Sequence, residues 1–185
     1  MRELIADLFI SLDGFASGTN EAAYFGYFGN DLANWVREHL DQRQVILMGR
    51  VTYEALARFA MSATDEASLR MSMLPKLVCS NTLHEPLAWK NTNLIRGNVR
   101  DSITALKQQD GDPLRSIGSI RLVKSLARLG LIDRFRLMVF PLILGETGKE
   151  PIYGDYPRVP LELVSTKVLD SRLIVLEYHP AALAG

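Results

Sequence analysis

The strongest constraint on the fold of this chain is a junction that recurs along it, where a short, mostly apolar run stops at small or polar residues. "VILMGRVTYEAL" (45–56) and "LRSIGSIRLVKSLARLG" (114–130) continue from that stop into segments with apolar residues at helical spacing, whereas "KLVCSNTL" (76–83) continues into polar residues. Apolar runs this short suit buried strands better than helices. Because strands that alternate with helices form parallel sheets covered by helices, these junctions predict an α/β fold.

The remaining segments extend this pattern and then depart from it. A first strand is expected at Leu4–Leu12, a long loop at Gly14–Asn30 and a further strand at Asn93–Gly97. Helices are expected at 31–40, 51–59, 100–109 and 120–130, with core faces formed by Tyr53, Leu56 and Phe59 in the second and by Leu122, Leu126 and Leu129 in the last. The last third holds three strand-like segments with no helices between them, at 132–144, 161–170 and 172–180. This order predicts a mixed sheet that ends in an antiparallel hairpin.

Composition excludes several classes of protein. The chain has 185 residues with 21 basic and 21 acidic side chains, whereas nucleic-acid binding usually leaves an excess of basic residues. Acidic residues interrupt the apolar N-terminal stretch, so we expect no signal peptide, and no run approaches the ~20 apolar residues of a membrane span. Cys79 is the only cysteine, which suits a reducing compartment. We therefore expect one soluble, cytoplasmic domain over residues 1–185 that binds neither nucleic acid nor membrane.

The three junctions carry residues suited to binding phosphate: "MGRVT" (48–52), "CSNTL" (79–83) and "IGSIR" (117–121). A helix N-terminus offers free N–H groups, and glycine lets an anion approach the backbone closely. Arg50 adds a bidentate cation, and hydroxyls come from Thr52, Ser80, Thr82 and Ser119. Three such strand ends together suit a dinucleotide. Each junction alone is more often a plain strand-to-helix turn, and the G-x-G-x-x-G fingerprint is absent.

The order and wording of these motifs resemble the dihydrofolate reductase superfamily. "SLDG" (11–14) ends the first strand, and "LMGRVTYEAL" (47–56), "KLVCSNTL" (76–83) and "IGSIRLVKSLARLGLIDRFRLMVFPLILGETG" (117–148) follow in the family's order. The similarity runs over nearly the whole chain. It is closest to the branch that holds the reductase domain of riboflavin biosynthesis and many stand-alone bacterial proteins. The resemblance implies a three-layer αβα domain with a mostly parallel mixed sheet and a C-terminal antiparallel hairpin.

The resemblance further implies NADPH as cofactor and assigns residues to it. Gly49, Arg50 and Thr52 match the family's first phosphate turn, where the arginine approaches the adenosine 2′-phosphate. Ser80, Asn81 and Thr82 match a segment near the adenosine ribose, and many relatives carry an arginine where this chain has Asn81. The turn that holds the pyrophosphate is matched by Gly118, Ser119, Ile120 and Arg121, although a second glycine that is common there is absent.

Asp31 is the candidate catalytic residue on the substrate side. "DLANW" (31–35) resembles the start of the helix that carries the substrate-binding acid in folate-reducing relatives. A carboxylate there binds the N–C–N edge of a pterin or pyrimidine and assists protonation of it. The alternative is that Asp31 only caps the helix. Asp13 and Gly14 close the first strand, where the nicotinamide is expected. Asp13 at such a position is more often a turn residue than a contact of the active-site loop.

The leading hypothesis is an NADPH-dependent reductase that transfers a hydride to a small heterocycle, pterin-like or ribosylaminopyrimidine-like, or to a carbonyl compound. Activity of the 5-amino-6-(5-phosphoribosylamino)uracil reductase type belongs to this class. The alternatives are a nucleotide-binding module of the same fold without turnover and a pure interaction protein. Relatives commonly form homodimers, for which the apolar hairpin "RLMVFPLILG" (136–145) is a candidate surface. The three histidines show no spacing that suggests a metal, and we expect none.

Overall fold

The structure is a computed structural model that describes residues 1–156 and 158–181. Its strands are β1 (Leu4–Ser11), β2 (Phe15–Gly18), β3 (Val45–Gly49), β4 (Lys76–Cys79), β5 (Thr92–Ile95), β6 (Leu114–Ile117), β7 (Arg134–Phe140), β8 (Gly148–Pro151), β9 (Leu161–Leu169) and β10 (Leu173–Pro180). Its α-helices are α1 (Asn30–Asp41), α2 (Arg50–Ser62), α3 (Glu66–Met73), α4 (Val99–Gln108) and α5 (Ile120–Arg128). Short 3₁₀ helices lie at Ala23–Gly26 and Gly145–Thr147.

An 8-stranded sheet in the order β5-β4-β3-β6-β1-β7-β10-β9 organises the fold. The first six strands of that order run parallel, and β10 pairs antiparallel with both β7 and β9. The predicted mostly parallel sheet with a C-terminal antiparallel hairpin is confirmed. A separate ribbon of β2 and β8 forms outside the large sheet.

Helices cover both faces of the sheet, which gives the predicted three layers. Alternate residues of a strand point to opposite faces. On one face Leu47 of β3 belongs to the same core as Ile103 of α4 and Leu126 of α5. On the other face, Met48 packs in a core with Tyr53 of α2 and residues next to α3, while α1 packs over β7 and β10. Among the described residues, no helix is both long and apolar enough to cross a membrane.

Buried charges connect the strands beneath α1. Asp7 of β1 is 3% exposed and forms ion pairs with Arg115 of β6 and with Arg136 of β7. Arg136 Nε also lies 2.6 Å from Glu177 Oε1 of β10. Burial by itself raises the pKa of Glu177, but its hydrogen bonds and ion pairs with arginines outweigh that effect and lower the pKa overall. These pairs tie four neighbouring strands together.

The structure corrects four predictions made from the pattern. Helix α3 lies in a segment where no helix was expected, and the long loop after β1 contains β2 and a 3₁₀ turn. Phe59, expected on the core face of α2, is 64% exposed. The segment 136–145 does not offer a free edge along β7, because β1 and β10 occupy both edges of that strand. The two edge strands of the sheet are β5 and β9.

Candidate cofactor site

The three candidate junctions lie side by side at the carboxyl edge of the sheet. They follow β4, β3 and β6, which are consecutive in the sheet, and β1, with Asp13 and Gly14 at its end, is the next strand. Gly49 is in register with Cys79, so the first two junctions begin at the same level. The candidate residues therefore form one continuous row across four strand ends.

A hydrogen bond joins the two glycine-containing turns. The backbone N–H of Gly49 donates to Ser119 Oγ at 3.0 Å. A Cβ placed on Gly118 would lie 3.6 Å from Thr52 Cγ2, so the turns also approach each other at van der Waals distance. Ser119 holds a left-handed backbone conformation with φ of 52°. This conformation turns the chain from β6 into α5 and directs the hydroxyl to the neighbouring junction.

The N-termini of α2 and α5 begin at these turns, and within the described residues no side chain caps either of them. The N-cap residues are Gly49 and Ser119, and the Ser119 hydroxyl is used by Gly49 rather than by its own helix. Uncapped first-turn N–H groups and the positive end of the helix dipole favour an anion. Space for a Cβ is open at Gly49 within the described part of the chain, so a ligand can approach the backbone there.

Arginine and isoleucine side chains at these turns have different roles. The Arg50 guanidinium lies on α2, where its Nη1 contacts Glu54 Oε1 at 3.1 Å and Oε2 at 3.0 Å. The Arg50 side chain remains 46% exposed. Arg121 is exposed, whereas the Ile120 side chain is buried in the core under α5. Ile120 can therefore offer a ligand only its backbone.

The third junction is organised by its own side chains. Ser80 Oγ accepts hydrogen bonds from the backbone N–H of Thr82 at 3.2 Å and of Leu83 at 3.1 Å, which closes a tight turn. Asn81 Oδ1 accepts from the backbone N–H of Gly97 at 2.7 Å, and Gly97 follows β5. Asn81 thus links the ends of β4 and β5.

Asp13 fastens the end of β1 to the loop after β7. Its carboxylate accepts from Ser11 Oγ at 2.6 Å and from the backbone N–H groups of Leu144 and Gly145 at 3.2 and 2.8 Å. The bond from Ser11, reinforced by the two backbone bonds, lowers the pKa of Asp13. Gly14 has φ of 84°, and a Cβ there would collide with the ring of Tyr153. Tyr153, which no sequence signal pointed to, therefore covers the end of β1.

Asp31 lies at the start of α1 but is not its N-cap residue, which is Gly29. Its Oδ2 accepts from the backbone N–H of Asp170 at 2.9 Å, in the turn between β9 and β10. Asp170 in turn accepts from the N–H groups of Asp31 and Leu32. The structure places Asp31 in an exposed contact with this turn, and β1 and β7 separate that hairpin from the glycine turns.

The aromatic residues of the loop before α1 pack inward. The ring centroid of Phe25 lies 5.2 Å from that of Phe140, and Tyr24 lies 5.6 Å from Phe9. Both loop residues adopt left-handed backbone conformations. Phe28 is 64% exposed at the end of this loop. Most of the loop aromatics therefore extend the core under α1.

Comparison with known proteins gives a match to one family model over residues 2–175, described as the RibD C-terminal domain. Uncharacterized protein YyaP of Bacillus subtilis (strain 168) is 28% identical over 184 residues, covering 96% of this chain and 95% of that protein. A protein from Shewanella sp. PV-4, proposed to act in riboflavin biosynthesis, has a TM-score of 0.79 at 20% identity, covering 97% of this chain and 99% of that one. Dihydrofolate reductase from Enterococcus faecalis, complexed with NADP(H), has a TM-score of 0.61 at 14% identity, and the match covers 97% of both chains.

Proposed function

Because the chain belongs to the RibD C-terminal domain family, we propose that it is an NADPH-dependent reductase. The proposed reaction transfers a hydride to a small heterocycle, pterin-like or ribosylaminopyrimidine-like, or to a carbonyl compound. The observation that carries this proposal is the hydrogen bond between Gly49 N–H and Ser119 Oγ. It holds two uncapped helix N-termini next to each other, which suits the two phosphates of a dinucleotide.

The chemistry of the donors fits NADPH. The first turns of α2 and α5 supply N–H groups for the pyrophosphate, and Arg50 supplies a bidentate cation for the 2′-phosphate. The turn from Ser80 to Thr82 supplies hydroxyls beside the adenosine ribose. The end of β1, at Asp13 and Gly14, is the proposed nicotinamide side. NADPH supplies the hydride, so the protein needs no nucleophile, and its own task is to orient cofactor and substrate.

We propose that Asp31 binds the substrate and assists its protonation. Its carboxylate is exposed, and its hydrogen bond to Asp170 uses Oδ2, which leaves Oδ1 available among the described residues. Exchange to asparagine removes the proton donor but keeps the acceptor for Asp170. We expect Asp31→Asn to lower kcat with little change in thermal stability.

The first test is calorimetric titration with NADPH and with NADH, for the unsubstituted protein, Arg50→Ala and a control. Losing a charge-assisted contact costs about 1.5–3 kcal/mol, roughly ten- to a hundredfold in affinity. Arg50→Ala should therefore weaken the binding of NADPH and reduce its advantage over NADH. Arg43→Ala deletes an exposed arginine that precedes β3, at the end of the sheet away from the candidate site. This variant should leave both affinities unchanged. If neither nucleotide binds, the reductase proposal fails.

A nucleotide-binding module without turnover is the second candidate. The observation that favours it is the contact of Asp31 with Asp170, because the carboxylate is occupied by a neighbouring turn instead of facing a buried pocket. Oxidation of NADPH, measured with a panel of pterins, ribosylaminopyrimidines and quinones, separates the two candidates. Turnover of any compound excludes the module, whereas tight NADPH binding without oxidation favours it.

We also propose that the protein is a cytoplasmic homodimer that pairs through the edge strand β9. Apolar residues of the β9–β10 hairpin are exposed, among them Leu163 at 57% and Val168 at 62%. β9 carries Glu162 near one end and Lys167 near the other, so antiparallel pairing with a second copy brings opposite charges together. Sedimentation of Val168→Lys should show a monomer where the unsubstituted protein shows a dimer. A monomer in both cases refutes the dimer.

A further inference from the structure

Three neighbouring strands end at the same level in the sheet. Gly49 of β3 is in register with Cys79 of β4, and Cys79 is in register with Ile95 of β5. The residues that come next are therefore Arg50, Ser80 and Arg96. Neighbouring strands lie about 4.8 Å apart. A serine hydroxyl thus stands between two strand ends that each continue with an arginine.

The guanidinium of Arg96 lies against the serine turn. Its Nη2 donates to the backbone carbonyl of Leu83 at 2.5 Å. The backbone N–H of that same Leu83 donates to Ser80 Oγ at 3.1 Å. Arg96 is exposed, and one hydrogen bond leaves the other donors of its guanidinium for a ligand. The cation is therefore held beside the hydroxyl.

Asn81 explains why the end of β5 stays in this position. Its Oδ1 accepts from the backbone N–H of Gly97, the residue directly after Arg96, at 2.7 Å. The asparagine is therefore a structural link that holds Arg96 at the serine turn. A side chain that lacks an acceptor at this position would release that link.

The charge balance of this corner makes Arg96 a second cation beside Arg50. Arg50 contacts both oxygens of Glu54, so a ligand shares the charge of Arg50 with that carboxylate. Among the described residues, Arg96 forms no ion pair with an acidic side chain. Its full charge is thus available to a phosphate monoester, and charge-assisted bonds to phosphate are stronger than neutral ones.

We propose that Arg96 is a specificity-determining residue that binds the 2′-phosphate of the cofactor from the side opposite Arg50. The inference rests on the proposed function. The cation comes from the end of the neighbouring strand β5, and Asn81 positions it. Arg96 distinguishes nucleotides with a 2′-phosphate from those without one.

The test compares four nucleotides by calorimetry: NADPH, NADH, adenosine 2′,5′-bisphosphate and adenosine 5′-monophosphate. Arg96→Gln should weaken NADPH and the bisphosphate about ten- to a hundredfold and leave the other two unchanged. Arg43→Gln removes the same charge from an exposed arginine that pairs with Asp112 and should change none of the four.

Each result decides between the inference and the proposed function. If the unsubstituted protein prefers NADPH and Arg96→Gln keeps that preference, the role of Arg96 is wrong while the reductase proposal stands. If NADPH and NADH bind equally well, no residue gains affinity from the 2′-phosphate, and the inference is again wrong. If none of the four nucleotides binds, both proposals fail. Circular dichroism of each variant identifies loss of affinity that comes from unfolding.

Discussion

Asp31 and Asp170 bind each other's backbone across the gap between α1 and the β9–β10 turn. Asp170 Oδ1 accepts from the N–H of Asp31 at 2.9 Å, and Asp31 Oδ2 accepts from the N–H of Asp170 at 2.9 Å. Asp170 Oδ2 also accepts from the N–H of Leu32, so it caps α1 in place of the helix's own N-cap residue. The residue proposed for the substrate is therefore positioned by the C-terminal hairpin.

Asp170→Ala should destabilise the protein by removing this cap from α1. Loss of an N-cap side chain costs about 0.5–2 kcal/mol. The melting temperature should fall by about 2–4 °C for each kcal/mol lost in a chain of this size. Asp101→Ala is the control, because Asp101 lies in the first turn of α4 while Asn98 caps that helix. Calorimetric scans that show equal losses for both variants would contradict the capping role.

Asp7→Ala should be strongly destabilising, because it leaves two buried arginines without their shared carboxylate. Removing one partner of a buried ion pair costs about 3–5 kcal/mol. Asp112→Ala breaks the exposed pair with Arg43, whose atoms lie 3.1 Å apart, and exposed pairs contribute only about 0–1 kcal/mol. Urea unfolding of both variants measures the contrast, and a small loss for Asp7→Ala would show that the network contributes little.

Asp13 should make the stability of the loop after β7 depend on pH. Its pKa in the folded protein is below the ordinary value of 3.8, mainly because Ser11 donates to it. A lowered carboxyl pKa stabilises the fold above the ordinary value, and that stabilisation is lost as the pH falls through the folded value. The free energy of unfolding, compared with Asp13→Asn over a pH series, should show a gap that closes below about pH 4. A gap that stays constant with pH would refute this.

Lys76→Met should destabilise the end of α3. The Lys76 side chain is fully buried, and its Nζ donates to the carbonyls of Met71, Ser72 and Leu74 at 3.1, 3.0 and 2.6 Å. Methionine fills the space but leaves these acceptors unpaired, at a cost of about 1–3 kcal/mol. The exposed Lys90→Met serves as the matched control and should change little. Unfolding midpoints in urea compare the two, and equal midpoints would show that the three bonds add no stability.

Local sequence patterns were sufficient to predict the parallel strands and the turns that follow them. Gly49 and Gly118 interrupt apolar runs directly before helical spacing begins, so both junctions are visible in a short window of sequence. Helix α3 was not predicted because burial along it does not follow side-chain polarity. Leu69 and Met73 are 54% and 64% exposed, while Ser68 and Ser72 are buried. The apolar periodicity of this segment therefore does not mark its buried face.

Contacts between segments that are distant in the sequence could not be predicted from local sequence patterns. Asp31 and Asp170 are 139 residues apart, and no local signal relates them. The position of Arg96 beside Ser80 depends on strand register, because only the pairing of β4 with β5 brings these residues level. The resemblance suggested that a cation was missing at Asn81, whereas the fold brings an arginine to the same corner from the next strand.

The hydrogen bond from Gly49 to Ser119 joins helices that belong to different layers, since α2 and α5 cover opposite faces of the sheet. The two halves of the proposed anion site are thus carried by separate cores. A substitution deep in either core that tilts one helix slightly will misalign the donors without removing any ligand contact. Affinity for the proposed nucleotide would therefore also report the alignment of the two outer layers.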